Sequence, residues 1–331
     1  MPTAVFALAP QFLSALFPPQ VLNHLREVVR VNPELTVSSF TDPATADALA
    51  GAEILITGWG CPPLDETALA ASPKLKTVLH TAGSIRGLVT DACWERGVQV
   101  SSAAEPNALP VAEYTLAAIL FTGKDAFGLR ERYRTEPIRG VMALPELGNN
   151  GRRVGVIGAS RIGRRLLDLL RPFDLAVTLY DPYVTAAEAS ELGATLLPLD
   201  ELLRDSDVVT MHAPDLPSTY RMLDRRRLAL IPDGGVLINT ARGTLVDPEA
   251  LTEELVSGRL RAVLDVTEPE PLPTDSPLHQ LPNVFLTPHI SGSGGNELRR
   301  LGQGVVDEAV RITKGLPLAH PVRRTDLDRI A

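Results

Sequence analysis

Cysteine is almost missing from this chain: Cys61 and Cys93 are the only two in 331 residues. That excludes a disulfide framework, and with no Cys-x-x-Cys pair the two read as structural thiols of a reducing compartment. An excess of positive charge is missing as well. Against 32 Lys and Arg stand 40 Asp and Glu, a net charge of −8, which argues against a nucleic-acid partner, since such partners are normally met by a basic face. No run reaches the ~20 apolar residues of a membrane span, and no His/Cys/Asp cluster has metal-ligand spacing, so no metal site is expected.

Residues 1–25 contain no Lys, Arg, Asp or Glu. The run is apolar enough to suggest a secretory leader, but it lacks a basic start, and Pro10, Gln11, Pro18 and Pro19 interrupt it. A buried first strand over Thr3–Leu8 followed by a short helix is the better reading, and the expected location is the cytoplasm.

What the chain does contain is an α/β alternation that runs twice. At 331 residues two cores are expected rather than one. In the first run, strand-like segments at Ala4–Leu8, Leu35–Ser39, Glu53–Thr57, Thr77–His80 and Val98–Ser101 alternate with helix-like ones, the pattern of parallel strands joined by helices. The pattern restarts with Val154–Ile157, Ala176–Tyr180, Val208–His212, Gly235–Asn239, Ala262–Val266 and Val284–Leu286. Between the two runs, Val111–Lys124 is apolar on nearly every face and predicts a buried helix. Asp125–Asn150 reads as an irregular arm. A last helix over Gly295–Lys314 could fold back and complete the first domain.

The second run opens with RRVGVIGASRIGRRLLDLL, which reads as strand, tight turn and amphipathic helix. Gly158 would permit the turn, Gly163 would let helix and strand approach, and the helix N-terminus would offer amides to a pyrophosphate. Ser160 stands where the dinucleotide fingerprint has its second glycine. Asp181 ends the next strand, 23 positions after Gly158, where an acid holds the ribose hydroxyls of NAD. No Lys or Arg lies between Asp181 and Arg204 to receive a 2′-phosphate, so NAD is favoured over NADP. His212, Arg242, Asp265 and His289 each fall at or just past a strand end, the edge at which open parallel sheets bind ligands.

Reduction of a 2-keto acid needs a hydride donor, a cation for the carboxylate and an acid for the carbonyl oxygen. Arg242 suits the cation, because guanidinium meets carboxylate with a planar fork. His289 suits the acid, because imidazole titrates near neutrality. Glu270 could hold the ring and favour its charged form.

Together, the segments GVIGASRIG, LYDPY, MHAPDLPST, LINTARGTLVDPEAL, AVLDVTEPEP and NVFLTPHISG resemble the D-isomer-specific 2-hydroxyacid dehydrogenases, in that family's order and across almost the whole chain. The resemblance implies a Rossmann NAD-binding domain (106–293) inserted into a flavodoxin-like α/β substrate domain (1–105, completed by 294–331), assembled as a homodimer. It implies Arg242, Glu270 and His289 as the catalytic trio. Arg161, Ile162, Asp181, Thr240, Ala241 and Asp265 would contact NAD, with Asp265 near the nicotinamide carboxamide, and His212 reads as a cofactor-pocket or packing residue. The loop His80–Gly87 corresponds to the family's glycine-rich substrate loop, which places Ala82 and Gly83 with Arg242 at a 2-keto or 2-hydroxy acid. The loop departs from the family's Gly-x-Gly-x-Asp, reading Ala82-Gly83-Ser84-Ile85-Arg86, and the acid itself stays open.

Three rival functions differ from this one in the residues they need. The family's formate enzymes carry Gln where this chain has Glu270. Short-chain dehydrogenases need Tyr-x-x-x-Lys, which none of the five tyrosines here begins. An NAD-sensing binding protein on the same fold is the non-enzymatic alternative, and measured turnover separates it from a dehydrogenase.

Overall fold

The computed structural model describes residues 1–141, 144 and 147–327. Among them twelve strands form, in chain order β1 Ala4–Ala7, β2 Ile54–Thr57, β3 Thr77–His80, β4 Gln99–Ser102, β5 Arg152–Ile157, β6 Leu175–Tyr180, β7 Thr195–Leu196, β8 Val208–Met211, β9 Val236–Asn239, β10 Arg261–Leu264, β11 Val284–Leu286 and β12 Pro321–Val322. The chain divides into two compact units, Met1–Asn107 with Ser293–Ala331, and Ala108–Gly292.

The first unit holds a sheet in the order β1-β2-β3-β4-β12, parallel except for the last strand. Successive side chains of a strand face opposite sides, and the two cores follow that period. Ala4, Phe6, Ile54 and Ile56 pack against the helices Leu13–Leu16, Pro19–Val28 and Leu298–Thr313, while Val5, Ala7, Leu55 and Val78 face Leu49, Leu64, Ala68 and Val322. Gly302 lets the late helix join this core, because a Cβ there would lie 1.8 Å from the carbonyl oxygen of Leu16. The buried Glu308 carboxylate accepts from Ser101 Oγ and from the amides of Ala319 and His320, each at 2.8 Å, and ties the turn before β12 to β4.

The strand expected at Leu35–Ser39 does not form. Only single parallel bridges, Thr3 with Arg30 and Phe6 with Thr36, flank β1 on its open side. Pro33 has no N–H for a ladder, and Ser39 turns the chain by bonding to Thr41. With that bridged segment beside β1, the order is that of a flavodoxin-like sheet.

The second unit is one fully parallel sheet in the order β11-β10-β9-β8-β5-β6-β7. From β5 the chain moves outward through β6 and β7, then returns to place β8 on the other flank of β5. Doubly wound sheets bind ligands at such a reversal. One face packs Val154, Val156, Val208 and Ile238 against the helices Ala104–Gly123 and Arg161–Leu170, and the other buries Ile157, Val209, Met211 and Leu237.

Two expectations are corrected here. The helix expected from Val111 begins at Ala104 and continues through Pro110. The arm expected over Asp125–Asn150 contains a helix, Ala126–Thr135; Met142, Ala143, Pro145 and Glu146 of that stretch lie outside the described residues. No helix among the described residues is long and apolar enough to cross a membrane.

Candidate active site in the second unit

The turn after β5 is shaped by its glycines. Gly158 has φ +100°, and a Cβ there would lie 2.7 Å from the amide nitrogen of Ala213 and from the carbonyl carbon of His212. A Cβ on Gly163 would lie 2.0 Å from the Gly158 carbonyl oxygen. Ser160, by contrast, has φ −63°, a region open to any residue, and it caps the helix Arg161–Leu170 by accepting from Gly163 N at 3.3 Å. Side-chain capping of this kind leaves other first-turn amides, those of Arg161 and Ile162 among them, at the positive end of the helix dipole.

Asp181 follows β6 and closes this turn from the side. Its Oδ2 accepts from Ala159 N at 2.7 Å and its Oδ1 from Tyr183 N at 2.8 Å. A carboxylate has about four lone-pair positions, so two bonds leave capacity for hydroxyl donors. The glycine turn, the helix N-terminus and this acid suit a dinucleotide.

His212 sits behind the turn. It is buried, its Nε2 pairs with Thr210 Oγ1 at 3.0 Å, and its Nδ1 has no partner among the described residues. Burial pulls its pKa down to about 3, so the ring is neutral near pH 7 and cannot serve as a cationic acid.

Three loops at the carboxyl ends of β9, β10 and β11 carry the remaining residues. Asn239, buried at the end of β9, bends the first of them: its Nδ2 donates to Arg242 O at 2.8 Å and its Oδ1 accepts from Ala241 N at 3.1 Å. Arg242 Nη1 donates to Ala241 O at 2.6 Å, and most of the guanidinium's other donors remain for a ligand. Gly243 lies flat on the second loop, where a Cβ would be 2.1 Å from Thr267 C and 2.2 Å from Thr267 O. That contact holds the Arg242 loop against the segment leading to Glu270. Sequence reading had passed over Asn239 and Gly243, although both stand in INTARG beside the arginine.

The third loop holds His289 at φ +55°, a left-handed conformation that costs a non-glycine residue on the order of 1–2 kcal/mol. Asp265 compensates. Its carbonyl accepts from His289 N at 2.9 Å, its Oδ1 from Ile290 N at 2.8 Å and its Oδ2 from Ser291 N at 2.8 Å. Beyond that turn, His289 Nδ1 meets Glu270 Oε1 at 2.6 Å. Both side chains are nearly half exposed, at 47% and 42%, which leaves Nε2 available to a ligand.

One helix touches two of these loops through consecutive residues. From Ala104–Gly123, the Tyr114 hydroxyl lies 2.7 Å from Thr287 Oγ1, just past β11, and Thr115 Oγ1 lies 3.0 Å from Thr240 Oγ1, just past β9. A cavity of about 230 Å³ in this unit, lined in part by Phe127, Arg132, Val236 and Arg261, lies at the amino ends of β9 and β10 and includes none of the residues above. The donors and acceptors described above gather instead at the strand carboxyl ends, the edge at which doubly wound sheets bind ligands.

Residues 116–291 match the family model for the D-isomer specific 2-hydroxyacid dehydrogenase, NAD binding domain. The chain belongs to the D-isomer-specific 2-hydroxyacid dehydrogenase family. Its second unit holds that family's NAD-binding domain, with the glycine turn and Asp181 at the reversal of the sheet. The chain is 36% identical over 255 residues to a D-3-phosphoglycerate dehydrogenase of Mycobacterium tuberculosis, covering 75% of this chain and 47% of that enzyme; it thus spans about half the length of that relative. A glyoxylate reductase of Korarchaeum cryptofilum is 30% identical over 258 residues, 76% of this chain and 77% of its own. Among solved structures, a D-lactate dehydrogenase of Aquifex aeolicus complexed with NAD and lactic acid superposes with a TM-score of 0.71 at 26% identity, covering 95% of this chain and 96% of that one.

The residues expected to form a substrate loop, His80–Gly87, belong to the first unit. His80 ends β3, is buried, and pairs through Nδ1 with Thr57 Oγ1 at 2.9 Å; burial pulls its pKa to about 4. Ala82 is buried and its carbonyl accepts from Ala103 N at 3.1 Å, while a Cβ on Gly83 would make ordinary van der Waals contact with Asn107 Nδ2 at 3.6 Å.

Proposed function

We propose that this chain is an NAD-dependent dehydrogenase that interconverts a 2-keto acid and a D-2-hydroxy acid, with glyoxylate, hydroxypyruvate or a related small acid as substrate. The observation that carries the reading is the 2.6 Å contact between His289 Nδ1 and Glu270 Oε1, in a loop cluster that also presents Arg242.

NADH supplies the hydride when bound, held by the turn Gly158–Gly163 and by Asp181, with Thr240, Ala241 and Asp265 toward the nicotinamide end. Arg242 takes the substrate carboxylate with its fork and polarises the carbonyl. Glu270 Oε1 accepts a hydrogen bond from His289 Nδ1–H, which fixes the ring and its tautomer. His289 Nε2 then donates to the carbonyl oxygen in reduction and accepts the proton back in oxidation. The first unit is proposed as the substrate-binding domain, with Ala82 and Gly83 as its substrate-contacting residues.

A homodimer and a cytoplasmic location are proposed with this activity. Support for the first comes from Phe121 and Phe285, large apolar side chains exposed on either side of Phe127; support for the second comes from two free cysteines.

The test is a panel of 2-keto acids, with and without phosphate groups, followed by the loss of NADH absorbance. Turnover of at least one small keto acid is expected. NADH binding without turnover of any panel member would instead favour an NAD-sensing protein.

A further inference from the structure

Thr287 and Tyr114 form a chain of hydrogen bonds whose direction is fixed by chemistry. Thr287 Oγ1 lies 2.6 Å from Asp265 Oδ1, and an ionised carboxylate can only accept, so the threonine proton goes there. Thr287 Oγ1 has no second proton to give, so across the 2.7 Å contact Tyr114 is the donor. The sequence of bonds therefore runs Tyr114 O–H to Thr287 O–H to Asp265, and from Asp265 outward to the amides of Ile290 and Ser291. Asp265 is 1% exposed, so water does not substitute for these donors.

We propose that Tyr114 and Thr287 are positioning residues for His289: they orient the Asp265 carboxylate so that it fastens the two amides that follow the histidine, and thereby keep the left-handed turn that presents the imidazole. The inference rests on the reading of His289 as the proton donor, and it gives a task to two side chains that touch neither imidazole nor Glu270. A strained backbone persists only where its surroundings over-determine it. Here the His289 amide is shared between the carbonyls of Asp265 and Thr287, at 2.9 and 3.0 Å, while the two amides that follow it are held by the Asp265 carboxylate, which is itself held by this pair.

The experiment uses the full chain and four variants: Tyr114→Phe, Thr287→Val, Thr287→Ser and Tyr114→Phe with Thr287→Val. Amide hydrogen exchange at Ile290 and Ser291 reads the turn directly, and kcat, KM, the NADH dissociation constant and Tm are measured beside it. Exchange at both amides should quicken in Tyr114→Phe and more so in Thr287→Val. A small displacement of a reacting group is costly, so kcat should fall about threefold and about tenfold respectively, with KM and NADH binding within about twofold of wild type. Thr287→Ser should restore both readouts. Because Tyr114 acts through Thr287, the double variant should be no worse than Thr287→Val alone.

Unchanged exchange overturns the proposal, as does an unchanged kcat or a double variant whose losses multiply. A fall in Tm without a fall in kcat also overturns it, reducing the pair to packing. Should Thr287→Val not fold, Tyr114→Phe keeps the ring and decides by itself. If the wild-type chain turns over no 2-keto acid, the dehydrogenase reading fails, and amide exchange still decides whether the pair holds the turn.

Discussion

His289 Nδ1 and Glu270 Oε1 are 2.6 Å apart although the two residues are 19 positions apart in sequence and sit on different loops. The pair makes a prediction about orientation. A carboxylate can only accept, so it holds the ring with the Nδ1 proton toward Glu270 and Nε2 toward a ligand, whereas an amide can also donate and so admits the opposite tautomer. Glu270→Gln should therefore lower kcat by about tenfold, with NADH binding within about twofold of wild type. Kinetics of wild type and variant with the hydride-transfer step isolated provide the check, and an unchanged kcat would remove Glu270 from this role.

Asp181 bears on the choice of nucleotide. Its carboxylate is anchored beside the glycine turn by Ala159 N and Tyr183 N, so it cannot easily swing away from a 2′-phosphate. NADH should exceed NADPH in kcat/KM by at least about tenfold, or about 1.4 kcal/mol. Equal use of the two nucleotides would overturn the assignment.

Ser160 separates stability from binding. As a helix cap accepting from Gly163 N, it should cost about 1 kcal/mol of stability when changed to Ala and only a few tenths when changed to Gly. Its hydroxyl proton is not consumed by the cap and can meet a phosphate oxygen. Both variants should therefore weaken NADH binding by about fivefold, the worth of roughly 1 kcal/mol. Thermal unfolding and fluorescence titration read the two effects separately. An unchanged NADH dissociation constant in both would leave Ser160 a cap alone.

Gly243 is one of the exacting positions of the site. A methyl group there would collide with backbone atoms of Thr267 and Glu268, which cannot rotate away as a side chain can. Gly243→Ala should displace the Arg242 loop and cut kcat/KM by about 10²-fold, the scale of a 1 Å misplacement. NADH binding should weaken less than kcat/KM falls, because the glycine turn and Asp181 lie on other loops. Activity within about threefold of wild type would mean that the two loops do not depend on their contact.

Much of this arrangement was legible because strands announce themselves locally. Thr77–His80 and Val284–Leu286 appear at the residues expected, since short β-branched and apolar runs bounded by turns need no distant partner to be seen. The helix Ala126–Thr135 was illegible for the opposite reason. Its surface is charged, with Arg132 paired to Glu136 and Arg134 to Glu131, and the ring that seats it, Phe127, stacks at 4.2 Å on Phe285, more than 150 positions later. The helix Ala104–Gly123 starts before the apolar run expected from Val111 and carries Pro110 inside it, where tertiary packing of a buried segment outweighs a lost hydrogen bond. At the site, residue types pointed to Arg242, Glu270 and His289. The residues that shape their loops, Asn239, Gly243 and Thr287, carry no chemistry a sequence reader would single out, because their work lies in which backbone atoms they meet.

The two contacts made by neighbouring residues of one helix have a mechanical consequence. Tyr114 and Thr115 are separated by one helical step, about 1.5 Å along the axis, and one reaches the His289 loop while the other reaches the Arg242 loop. A slide of that helix would pull on both loops at once, so the two loops are braced against one common element rather than against each other. Under the roles proposed for His289 and Arg242, acid and cation would thereby keep one spacing, and the spacing of carboxylate and carbonyl is the one feature that all 2-keto acids share.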